Sequence, residues 1–143
     1  MEPAEQTTIF ALLSILFFLI SLFADDERWW VSVGCTGLLV CYWAFNTILW
    51  MLGVVEDWSL PSDGLFALGA LALAVRMRRG WLLALFGLFA VNLVLDVLHV
   101  TNTIDYATWA EAGNISFVCQ LATASFPGLV SLTRMILSRP RRV

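Results

Sequence analysis

Long apolar runs alternate with short polar breaks along the chain, and the runs cover residues 8–24, 29–55, 60–76, 81–100 and 113–137. About 20 apolar residues make a helix of about 30 Å, the thickness of a bilayer's hydrocarbon core. The run 81–100, WLLALFGLFAVNLVLDVLHV, has that length. Residues 8–24 sit at the short end for a span. Residues 29–55 exceed the bilayer and imply tilt or a protruding end, with Trp29 and Trp30 at one end and Trp50 and Trp58 near the other, as in interfacial aromatic belts. In the last run, Pro127-Gly128 falls at mid-depth and predicts a kink, because proline removes a backbone donor and crowds the preceding turn.

The breaks differ in character. Residues 56–63 read as a compact acidic turn, with Pro61 and Asp63 placed to begin a helix. Residues 76–80 make a tight basic turn, and 101–113 form the longest linker. Residues 60–75 are rich in Gly and Ala, with Ala67, Ala70 and Ala74 on one face. Such faces let helix backbones approach closely in lipid, so a short helix packed against its neighbours is expected here. The pattern predicts an all-α membrane protein, a compact bundle of five transmembrane helices in a single polytopic domain. The alternative is four, with 60–75 not crossing.

Composition strengthens the membrane reading. The 143 residues are 60% apolar and 13% charged, with a mean hydropathy of +0.84. Soluble domains are about 45–50% apolar and about 25% charged, so a water-soluble core does not account for the excess. The acidic start, Glu2 and Glu5 with no basic residue, lacks the basic region of a signal peptide, so the first run is expected to be a retained anchor. Cys35, Cys41 and Cys119 form no CxxC pair and lie within apolar runs, where they read as small core residues.

Charge placement gives an orientation. All eight basic residues are Arg. With five crossings, Arg28, Arg76, Arg78, Arg79, Arg134, Arg139, Arg141 and Arg142 share one side, and Glu56, Asp57, Asp63, Asp105 and Glu111 lie opposite. The positive-inside rule makes the basic side cytoplasmic, with the N-terminus outside and the C-terminus inside, in what is expected to be a bacterial inner membrane. Arg76, Arg78, Arg79, Arg139, Arg141 and Arg142 serve as the topology signal and could also bind anionic lipid headgroups. A net charge of −3 spread over many loops leaves no nucleic-acid footprint.

A weak internal echo pairs Trp30, Asn46, Trp58 and Arg76 with Trp81, Asn92, Trp109 and Arg134, but ordinary positive-inside patterning accounts for it as well. The sequon Asn114-Ile115-Ser116 abuts a span and reads as a chance match.

Candidate chemistry gathers at one depth. Asn92, Asp96 and His99 are spaced four and three apart, so they share a helix face. Asn46 and Gln120 come out at similar depth on neighbouring helices. One reading is a polar, proton-titratable pocket in the outer half of the membrane, with Asp96 and His99 as its titrating pair. The other is helix glue, Asp96 capped by Asn92 and His99 to hold the bundle in register. With one His and remote cysteines, no metal site and no cofactor are expected. The catalytic fingerprints GxSxG, HExxH, P-loop and Rossmann do not occur, so the chain is not expected to be an enzyme.

A small, Arg-tailed, polytopic chain is similar in general form to bacterial or phage inner-membrane proteins, including holin-like pore formers, a likeness of class that carries over no residue. The expected function is therefore association through helices, as an oligomeric pore, a channel-like assembly or an accessory subunit of a membrane complex. The alternative is a small transporter or ligand-binding bundle using Asn46, Asn92, Asp96, His99 and Gln120. The expected partners are the lipid bilayer and further copies of the chain or another membrane subunit.

Overall fold

A computed structural model describes residues 3–25 and 29–138, with side chains from Gln6 onward. Arg28, Arg139, Arg141 and Arg142 lie outside the described residues. Five helices follow in order: α1 (Pro3–Ser21), α2 (Trp29–Met51), α3 (Val55–Met77), α4 (Gly80–Val100) and α5 (Tyr106–Leu137). Four of them, α2 to α5, are long and apolar enough to cross a membrane. In α1 the corresponding apolar stretch, Gln6–Ser21, is shorter.

Three boundaries differ from the sequence expectation. The second run ends at Met51 rather than residue 55, because Gly53 takes a left-handed conformation (φ 73°). There the Gly53 amide bonds the Trp50 carbonyl and the Val54 amide reaches back to Leu49. This pairing closes a helix C-terminus, and glycine adopts the required φ without steric cost. The expected acidic turn at 56–63 is helical. α3 begins at Val55, Pro61 lies inside it, and the helix is 23 residues long rather than short. Likewise α5 begins at Tyr106, so the linker after α4 is only residues 101–105. Asp105 caps α5, its carboxylate accepting a hydrogen bond from the Thr108 amide at 2.8 Å. At α4's end Asn102 (φ 55°) repeats the left-handed stop, with Asn102 bonded to His99 and Thr103 to Leu98.

The helices alternate in direction. α3 packs most extensively on α4, and α5 contacts α1, α2 and α4. α2 and α3 touch least among the packed pairs although a three-residue turn joins them. Ala67, Ala70 and Ala74 are all buried, as the small-residue face predicts. The core gathers around Leu39, Leu82, Phe89, Leu121 and Ala124. Large apolar side chains such as Leu12, Leu16, Leu38, Leu65, Leu68, Leu83 and Val94 are exposed on the outside, the surface a bilayer would cover.

Polar contacts tie the end remote from the acidic turns. Ser32 Oγ donates to the Ala124 carbonyl at 2.6 Å, joining α2 to α5, and the Asp25 amide donates to Ser131 Oγ at 3.0 Å. At Gly128 a Cβ would stand 2.0 Å from the Ile20 carbonyl oxygen, so the α1 and α5 backbones are in direct contact there. Interhelical hydrogen bonds and small residues hold helices together in a solvent as apolar as themselves.

Candidate functional site

The opposite end of the bundle opens. A cavity of about 610 Å³ is lined by residues from all five helices: the first turns of α1, α3 and α5 and the later turns of α2 and α4. Aromatic rings pack around Tyr42 of its lining. Phe66 stacks on Phe89 with ring centroids 5.5 Å apart, and Tyr42 meets Phe66 edge-on at 4.8 Å. Such offset and edge-to-face geometries suit the ring quadrupoles.

Two carboxylates stand in the cavity wall. Asp96, on α4, is 3% exposed, and its Oδ1 accepts a 2.9 Å hydrogen bond from the Trp109 indole Nε1 on α5. Asp63, on α3, is also 3% exposed, and its Oδ1 accepts from the Tyr42 hydroxyl of α2. The Asn92 amide faces Asp63, and Ser59 faces Asp96. Each carboxylate is thus held by an aromatic donor from a neighbouring helix. By the rise per residue, Asp63 lies about 5 Å and Asp96 about 9 Å from its helix midpoint.

Among the sequence candidates, Asn46, Asn92 and Asp96 line this cavity. Gln120 does not. It is fully buried on α5 beside Ser116, 3.5 Å from its hydroxyl. His99 is not part of the lining either. Its Nε2 lies 3.4 Å from Glu56 Oε2, and its ring stacks on Trp109 at 4.7 Å with planes 9° apart. His99 thus braces the indole that holds Asp96. Arg76, Arg78, Arg79 and Arg134 lie at the other end of the bundle, near the α3–α4 turn and the close of α5.

The sequence reading missed Asp63, Tyr42, Ser59 and Trp109. For Asp63 a signal was present. Ser59, Asp63, Ala67, Ala70 and Ala74 are spaced 4, 4, 3 and 4, one continuous helix face, and all five are buried. Placing the helix start at Pro61 cut that face in two.

Several acceptor atoms in the wall have no partner: Asp96 Oδ2, Asn92 Oδ1 and Asn46 Oδ1. Among the described residues, no group of three or more His, Cys, Asp or Glu is placed to hold a metal ion. No protein-family model, curated protein or solved structure matches the chain.

Proposed function

We propose that the protein is a small polytopic membrane protein that binds a ligand in this cavity, with Asp63 and Asp96 as the groups whose protonation governs occupancy. The reading rests on one observation: two buried carboxylates on adjacent helices face one cavity. Ionisable groups are costly inside a bilayer and mark ligand or proton pathways there. A dry bundle held by polar glue needs no cavity of this size, which is in the range of small-molecule sites. Action through association, as an oligomeric pore or accessory subunit, is the competing reading. It gives the cavity no role.

In this proposal all five helices cross, the basic end faces the cytoplasm and the cavity opens outward. The test uses the tryptophans. Trp43, Trp50 and Trp109 line the cavity. Their fluorescence in the detergent-purified protein is expected to change with pH, and the transition is expected to move or vanish in Asp63→Asn and Asp96→Asn. A transition unchanged by both substitutions, or no transition at all, overturns the proposal.

A further inference from the structure

We infer that the cavity's ligand is an organic ammonium ion, a protonated primary or secondary amine on an aromatic or aliphatic body. This deepens the binding reading above and rests on it.

The charge in the wall is of one sign. Asp63, Asp96 and Glu111 line the cavity, and among the described residues no Arg or His does. A buried carboxylate is expensive, and His99, which acts on Asp96 from behind Trp109, lies outside the lining, so within the cavity a proton or a cationic guest relieves the charge. The unpartnered atoms sharpen the choice. Asp96 Oδ2, Asn92 Oδ1 and Asn46 Oδ1 are all acceptors, and Asp96 and Asn92 are both more than nine-tenths buried. A guest that satisfies them must bring N–H or O–H donors, and each buried acceptor left unpaired costs stability. An ammonium group supplies charge and donors together. An anion or a purely apolar guest supplies neither.

The rest of the wall suits the body of such a molecule. Tyr42, Trp43 and Trp50 present aromatic surface in the same cavity, and aromatic faces attract cations within about 6 Å of the ring centre. The rim is acidic too, with Glu56, Asp57 and Asp105 at the same end. Such a field draws cations toward the opening.

Equilibrium dialysis on the purified wild-type protein tests the inference directly. The probes are a graded set of amines from methylammonium through 2-phenylethylammonium to tryptammonium, with 2-phenylethanol, 3-phenylpropionate and trimethyl(2-phenylethyl)ammonium as matched neutral, anionic and donor-free partners. At least one arylalkylammonium is expected to bind saturably at one per chain. The alcohol and the carboxylate should be at least tenfold weaker, and the quaternary ion several-fold weaker. Asp96→Asn, which keeps an acceptor for Trp109, and Asp63→Asn should each weaken amine binding at least tenfold while gel filtration stays unchanged. Equal binding of the alcohol, or failure of every amine to bind, overturns the inference even if the variants do not fold. If the amines fail while the fluorescence transition still depends on Asp63 and Asp96, the ligand class is wrong and the pocket reading stands. If both fail, the pocket reading falls too.

Discussion

Gly128 shows how much a single position can carry in this bundle. The nearest atoms to its absent Cβ are the Ile20 carbonyl oxygen at 2.0 Å, the Ile20 carbonyl carbon at 2.8 Å and the Ser21 Cα at 2.9 Å. All are backbone, and none can swing aside as a side-chain tip would. Gly128→Ala therefore forces α1 away from α5, and overpacking of this kind costs about 1–3 kcal/mol. Gly69, on α3, has nothing within 4 Å of its Cβ position, and Gly69→Ala is expected to be neutral or to stabilise by about 0.5–1 kcal/mol. Thermal unfolding in detergent, followed by fluorescence, checks the pair: a drop for Gly128→Ala and none for Gly69→Ala. Equal behaviour would mean the close approach is not maintained. Sequence alone marked Gly128 only as half of a Pro-Gly kink signal. That glycine was needed for contact became visible once Ile20 lay beside it.

Among the elements, apolar extent was legible and helix ends were not. Hydropathy reports which residues can sit in lipid, whereas a helix continues wherever its carbonyls and amides keep finding partners. α3 and α5 therefore run past their apolar windows, α3 into an acidic first turn with Glu56 and Asp57 and α5 through Glu111 in its second turn. At 32 residues α5 is about 48 Å long, well beyond a hydrocarbon core. Acidic side chains also suit a helix N-terminus, where the dipole is positive. Of the candidate site, the α4 half was readable because Asn92 and Asp96 interrupt an apolar run, while Asp63 was hidden inside what read as a turn. The start of α5 gives a test. Hydrogen bonds from the Thr108 side chain, and then from its amide, hold the exposed Asp105 carboxyl below the usual carboxylate range. A carboxylate whose folded pKa is depressed stabilises the helix start above its unfolded value near 4. That contribution is lost as the pH falls through the lower folded value. Amide-exchange protection at Thr108 is expected to hold at pH 5 and above and to fall in more acidic solution. Asp105→Asn should keep protection without the acid-range loss, and Asp105→Ala should lower it at every pH. Protection in the Ala variant equal to wild type would show that the cap does not hold the turn.

For the whole molecule the question is whether α1 crosses with the others. Its apolar stretch is the shorter one, so the doubt first attached to residues 60–75 belongs instead to α1. Packing argues for a crossing. Phe10 meets Phe117 at 6.4 Å between ring centroids near the cavity end, and Ile20 meets Gly128 toward the basic end. Eleven residues of α1 thus run beside twelve of α5, side by side and in the same direction. A helix lying flat on the membrane surface could not follow a crossing partner over that length, about 15 Å at the rise of an α-helix. Ser14 and Ser21 on this stretch are buried, as expected for a face turned to the bundle and away from lipid. Five crossings place the two ends of the chain on opposite sides, and four place them together. A reporter active only in the cytoplasm, fused behind Val143, is expected to be active, and the same reporter ahead of Met1 inactive. A reporter active only outside should give the reverse pair. Reporters that agree at both ends would mean that α1 stops short. The cavity's α1 wall, Gln6, Thr7 and Phe10, would then need another source of closure, such as a second copy of the chain.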